Sequence, residues 1–132
     1  MEFKIYTKAT YTLITPISDS INAKLTAALR QKCTELAKDG SKNGNNYIVD
    51  LQQCLQAEKE GLKKMAALSG SCYEQMQSMV FTGIKEPVMQ VIKQMELDDV
   101  MNICPKMIEA IDIISMEQLE RDLMNGDEEE TE

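Results

Sequence analysis

The hydrophobic period of this chain switches back and forth between two and about 3.6, a rhythm that few folds accept. Phe3, Ile5 and then Thr10-Tyr11-Thr12-Leu13-Ile14-Thr15 are aromatic and β-branched residues in near alternation. With Thr7-Lys8-Ala9 between the runs, they predict two strands and a tight connection. From Asp19 or Ser20 the spacing lengthens: Ile21, Leu25, Ala28, Leu29, Cys33, Leu36 and Ala37 share one helical face, opened by a capping residue and closed by Asp39-Gly40. A Gly- and Asn-rich loop over 40–46 gives way to Tyr47-Ile48-Val49-Asp50-Leu51, an apolar run of buried-strand type. A second helix starts near Glu58 to Glu60, its stripe formed by Leu62, Met65, Ala66, Ser69, Cys72, Tyr73 and Met76. Ser78-Met79-Val80-Phe81-Thr82-Gly83 reads as a strand, and Pro87 sits in the first turn of a helix that turns Val88, Val91, Ile92 and Met95 inward. Val100-Met101-Asn102-Ile103 reads as the fifth strand, and Pro105 opens a helix with Ile108 and Ile111. Ser115 with Gln118 resembles a capping box for a last helix over 116–124.

Strands alternating with helices after a first hairpin predict an α/β fold: a small mixed β-sheet with residues 47–51 at its centre and right-handed crossovers. Each helix carries one apolar stripe, so about four helices are expected mainly on one face. The predicted core contains Leu13, Leu25, Leu29, Ile48, Val49, Leu51, Leu62, Met65, Val80, Val91 and Ile92. The 132 residues suit a single domain, placed at 1–124, with 125–132 as a disordered acidic tail.

Chemistry is constrained by what is missing. The chain has no histidine, which removes the commonest general base and metal ligand. It carries no GxGxxG, no Gly-Lys-Ser/Thr phosphate loop and no Gly-x-Ser-x-Gly elbow, so an enzyme is not expected and no cofactor or metal is implied. Cys33, Cys54, Cys72 and Cys104 form no Cys-x-x-Cys pair and sit among apolar neighbours, as buried free thiols do. The net charge is −8; the last seven residues hold five of the twenty-two acids, leaving seventeen against fourteen basic residues, a net of −3, for the body. Without a basic cluster, nucleic acid is not an expected partner. No apolar run reaches the length of a membrane span, and nothing at residues 1–10 reads as an export signal, so a cytoplasmic protein with no membrane insertion is expected.

One stretch carries specific information. Asp50-Leu51 ends the central strand, and eight residues after Asp50 comes Glu58-Lys59-Glu60-Gly61-Leu62. Upstream stands Asp19-Ser20-Ile21-Asn22-Ala23; downstream, Met79-Val80-Phe81-Thr82-Gly83 precedes Val91 and Ile92, then Leu97-Asp98-Asp99-Val100. In order and spacing, over roughly residues 9–114, this resembles the STAS domain family of sulfate transporters and anti-sigma factor antagonists. There a central Asp-Leu precedes the loop Asp-Ser-Ser-Gly-Leu, and Asp-x-x-Asn-Ala leads into the first helix. The resemblance implies a non-enzymatic domain of bacterial signalling and transcription regulation. Its expected partner-binding residues are Asp19, Ser20, Asn22, Glu58, Lys59, Glu60, Gly61, Lys63 and Lys64, and its expected partner is a protein, typically a serine kinase that also holds a sigma factor. The family's phosphorylatable serine corresponds to Lys59 and the next serine to Glu60, while Pro16 replaces a glycine before the Asp-x-x-Asn turn. No phosphorylation site is therefore expected in the loop. Whether Glu60 mimics a phosphorylated state stays open, since Lys59 beside it offsets its charge. An accessory subunit of a lipid-transport or stress-sensing complex and a small nucleotide-binding protein are the alternatives, and the oligomeric state is left open.

The acidic tail offers nothing apolar to bury, so removing residues 125–132 is expected to leave the melting temperature within about 1 °C, measured by thermal unfolding.

Overall fold

The computed structural model describes residues 2–38 and 46–130, with side chains to residue 124. A five-stranded sheet has the order β1-β2-β4-β6-β7, from β1 (Glu2–Thr7), β2 (Thr12–Ile17), β4 (Tyr47–Asp50), β6 (Met79–Thr82) and β7 (Asn102–Ile103). β1 and β2 are antiparallel; the other neighbours are parallel, so the sheet is mixed. β4 lies at the centre with every residue buried, as the apolar run Tyr47-Ile48-Val49 requires of a strand covered on both faces. A second, two-stranded parallel sheet joins β3 (Ser20–Ile21) to β5 (Gln56–Ala57).

The helices are α1 (Ala23–Lys38), α2 (Lys59–Glu74), α3 (Glu86–Gln94) and α4 (Met107–Glu130). Alternation along the strands divides the core. Ile14, Tyr47, Val49, Met79 and Phe81 pack with Leu25, Leu29, Leu62, Met65, Val88 and Ile92 of α1, α2 and α3. Ile48, Val80 and Cys104 face the other way, onto Ala110 and Ile114 of α4. Three helices cover one face and a single helix the other, as single apolar stripes predict. The expected core residues are all buried except Leu13 and Val91, which are half-buried at its margin. Each fully buried aliphatic side chain contributes on the order of 2 kcal/mol.

Pro16 lies inside a strand with neighbours on both sides, where a lost N–H is normally costly. The Lys8 N–H donates to the Tyr11 carbonyl (2.8 Å), which makes Lys8–Tyr11 and every second pair behind it hydrogen-bonded. Pro16, opposite Phe3, falls at a non-hydrogen-bonded position toward β1, and pairing with β4 has ended at Ile14. The proline thus occupies the place in β2 where no N–H is used.

Several element boundaries differ from expectation. Ser20–Ile21 is strand, and α1 begins at Ala23, because the Asn22 carboxamide accepts the Leu25 N–H (2.8 Å) and takes the capping role. The expected close at Asp39-Gly40 lies outside the described residues. Tyr73 and Met76 leave the α2 stripe: Tyr73 is 78% exposed, and Met76, beyond the helix end, has a φ of 62°. Val100 is exposed in a turn whose N–H groups fold back on the Leu97 carbonyl, so β7 is only two residues long. Ser115 caps nothing; α4 runs through it, because Ala110, Ile114, Glu117 and Arg121 continue one inward face. Its backbone is helical to Glu130, inside the segment that the sequence assigns to the tail.

A polar clamp fastens α4 to the sheet. Arg121 donates to Asn46 Oδ1 (2.9 Å) and Ser78 Oγ (3.3 Å), and Ser78 donates its hydroxyl to Glu117 (2.5 Å). The Asn46 side-chain amide donates to Gln118 Oε1 (3.0 Å), and Asn46 Oδ1 also accepts the Ser78 N–H (3.0 Å).

All four thiols are free and buried. Burial, with Cys72 nearby, pushes the Cys33 thiol up to about 12; burial, with Asp19 and Asp50 nearby, pushes Cys54 up to about 11. A raised thiol favours the neutral folded form, so this stability is complete below the unfolded thiol value near 8.5 and is lost as pH rises toward the folded values. The unfolding free energy from urea titrations should therefore fall between pH 8.5 and 10.5, with a limiting slope of about 1.4 kcal/mol per pH unit for each of the two thiols. Changing both Cys33 and Cys54 to Ala should reduce that slope, leaving the part that the raised Cys72 and Cys104 thiols contribute.

Candidate functional site

Two segments distant in sequence meet at the carboxyl ends of β2 and β4. The Leu55 and Gln56 N–H groups both donate to the Asp19 carbonyl (2.7 and 3.1 Å), and the Glu58 N–H donates to the Ile21 carbonyl (2.8 Å). Ser20 pairs with Gln56 and Ile21 with Ala57. Through this bridge, the turn holding Asp19, Ser20 and Asn22 lies against the loop holding Glu58, Lys59 and Glu60.

Contact continues into the helices. A Cβ on Gly61 would stand 2.6 Å from the backbone of Asn22 and from the Ile21 carbonyl, so only glycine lets α2 begin this close to α1. Thr26 of α1 donates its hydroxyl to the Gly61 carbonyl (2.9 Å), a buried bond. Gly61 is thus a packing position rather than a surface contact. At the other end of the loop, Asp50 accepts from the Gln52 N–H (3.1 Å) and side-chain amide (2.7 Å). Gly83, at φ +70°, lies so close to that carboxylate that a Cβ there would collide with Asp50 Oδ1. Leu51 and Cys54 are buried beneath the loop.

What remains outside is a mixed surface. Asp19, Glu58, Lys59, Glu60, Lys63 and Lys64 are exposed, and Ser20 and Asn22 are half-buried. Glu58 occupies the N-cap of α2 without a side-chain capping bond. Lys59 follows at the positive end of the helix dipole, where a cation is disfavoured, and Glu60 is favoured there. Lys64 approaches Glu60 at 3.8 Å, an exposed pair one turn apart, and lines a groove of about 550 Å³ between α1 and α2 with Thr26, Arg30 and Ala67. Among the described residues no His, Cys, Asp and Glu cluster could hold a metal ion. The sequence reading missed Leu55, 58% exposed at the loop tip, and the β3–β5 bridge behind it. An apolar residue followed by Gln56 and close behind Gln52-Gln53 was the available signal for Leu55.

The arrangement of strands, four helices and loop recurs in solved structures. A Thermotoga maritima protein assigned as an anti-sigma factor antagonist superimposes with a TM-score of 0.69 at 15% identity, over 86% of this chain and 94% of that one. The chain has the STAS fold. An anti-sigma factor antagonist from Mycobacterium paratuberculosis matches with a TM-score of 0.66 at 17% identity, covering 86% and 93% of the two chains. RsbS of Moorella thermoacetica, in a serine-to-glutamate variant, matches at 0.67 and 16%, covering 92% and 99%. A segment covering 18% of the murine Slc26a9 anion transporter matches 84% of this chain with a TM-score of 0.65 at 19% identity. No protein-family model and no curated protein matches the sequence. Among the described residues, no helix is long and apolar enough to cross a membrane.

The close approach at residue 61 predicts that Gly61→Ala separates α2 from the Asn22 turn and destabilises the STAS fold by about 2 kcal/mol or more, measured by urea unfolding. Gly70→Ala in the same helix, where a Cβ meets nothing within 4 Å, should be neutral or stabilising.

Proposed function

We propose that the chain is a non-catalytic STAS interaction domain that binds a regulatory protein through residues 19–22 and 55–64, without a serine phosphorylation switch. The observation that carries this reading is the β3–β5 bridge: it joins both segments into one exposed surface bearing Leu55 and charges of both signs. Structural neighbours named as anti-sigma factor antagonists support a protein partner; the partner in this reading is a kinase-like anti-sigma factor in a bacterial cytoplasm. In that setting, binding would release or sequester a sigma factor.

Charge at the start of α2 then differs in kind from a phosphorylatable loop. Residues 58–62 contain no hydroxyl, so a kinase has no acceptor there. Negative charge in the first turn comes from Glu60 and is offset by Lys59 and Lys64. Contact is therefore constitutive and set by the partner's concentration. The transporter neighbour, in which the matching segment is one part of a larger machine, favours a second reading as an accessory subunit using the same surface.

The test is binding to the purified partner, captured first from the native cell and then reconstituted. Lys59→Glu should weaken the complex by about 1–3 kcal/mol through like charge and desolvation at a buried contact. Lys106→Glu, on the α4 side, should leave affinity unchanged. Equal affinity of wild type and Lys59→Glu would place the contact elsewhere. Mass spectrometry after incubation with a serine kinase partner should find residues 58–62 unmodified, whereas Lys59→Ser supplies an acceptor.

A further inference from the structure

We infer that β1 is a docking edge for a second copy of this chain, pairing antiparallel about Ile5 to join two sheets into one. This goes beyond the proposed partner surface.

The backbone sets the first condition. Because Lys8 and Tyr11 form a hydrogen-bonded pair, the even-numbered residues of β1 spend their N–H and C=O groups on β2. Those of Phe3, Ile5 and Thr7 point outward from the sheet edge. Among the described residues nothing pairs with that edge; an open concavity of about 540 Å³, lined by Phe3, Ile5, Ile17 and Lys32, lies beside it. An incoming antiparallel strand must therefore set odd residues opposite odd residues, and a two-fold axis makes the contact self-complementary.

Charge selects among the registers that satisfy this. Centring on Lys4 sets Lys4 against Lys4, and centring on Tyr6 sets Lys4 against Lys8 on both sides of the axis. Centring on Phe3 shortens the overlap to residues 2–4. Centring on Ile5 sets Ile5 against Ile5, Phe3 against Thr7, Lys4 against Tyr6 and Glu2 against Lys8. Like charges oppose nowhere in this register, and opposite charges meet at both ends. Lys4 and Tyr6 fall at the closer, non-hydrogen-bonded positions, where the ammonium reaches the exposed ring of Tyr6. Phe3 already packs against the core beneath α1, α2 and α3, and Ile5 lies half-buried on the same side. A second Ile5 across the axis extends that apolar surface. The opposite edge, β7, has two residues, so pairing stops at the dimer. A strand pair of this length lies at the low end of interface sizes, below about 1,200 Å², so the dimer depends on concentration.

Sedimentation velocity of the full chain from about 5 to 500 μM tests it. The wild type should move from monomer to dimer across the range. Ile5→Pro, which removes an outward N–H that the monomer does not use, should stay monomeric with unchanged far-ultraviolet circular dichroism. Glu2→Lys and Lys8→Glu should each weaken the dimer by about three- to tenfold, and the double variant should restore it. The charge set decides alone if Ile5→Pro fails to fold. A wild type monomeric at the highest concentration, a folded Ile5→Pro that still dimerises, or a double variant without recovery overturns the proposal.

Discussion

The closeness of Gly61 to the backbone at Asn22 determines whether the candidate surface exists. Helices α1 and α2 start side by side at the carboxyl edge of the sheet, where their unsatisfied N–H groups and positive dipole ends would otherwise spread apart. The missing side chain lets the chains approach within van der Waals contact, and the Thr26 hydroxyl fixes that approach to the Gly61 carbonyl. With α2 seated there, the loop before it has only one course, along Ser20–Ile21 as a parallel ladder. A single buried hydrogen bond contributes about 1 kcal/mol, so no single bond here carries the fold. Its effect is geometric: three short contacts set the height and direction of every exposed group from Leu55 to Lys64.

The same geometry gives the lysine at the start of α2 a particular standing. A carboxylate or a phosphate at that place would be stabilised by the helix terminus, while an ammonium group is opposed by it. Lys59 is exposed to solvent, and Glu60 stands one residue later in the first turn. A surface organised in this way responds to ionic strength, since its exposed charges are screened within about 8–10 Å.

Much of this was legible in the sequence because it depends on period. The central strand declared itself by the apolar run Tyr47-Ile48-Val49, and α1 and α2 by their stripes, since burial demands those patterns whatever surrounds them. Joining Asp19 to Glu58 needed more: the resemblance in spacing supplied it, while the β3–β5 bridge is made of backbone groups that leave no side-chain signature. Asn22 rather than Ser20 caps α1, because both residue types cap well and the choice was made by β3 claiming Ser20. Ser115 misled for the converse reason. A capping box is a local signal worth about 1 kcal/mol, and the continuous inward face of α4 outweighs it. Met76 kept helical spacing past the point where α2 ends, and Tyr73, in the last turn of α2, faces solvent, so both sequence positions matched a stripe that the structure does not present there.

The uneven covering of the sheet has a dynamic consequence. Three helices share the large apolar cluster, whereas α4 rests on a small one and on a clamp of side chains that includes Arg121, Ser78 and Glu117. Sheet and first three helices therefore form one cooperative unit, and α4 forms another of lower opening free energy. Native-state amide exchange would divide along that line, with α4 losing its protons while β4 and β6 still hold theirs. Because Ile48 and Val80 lie under α4, each opening briefly bares apolar surface on the sheet, and the rate at which the chain meets proteases or other chains is set by the detachment of one helix rather than by global unfolding.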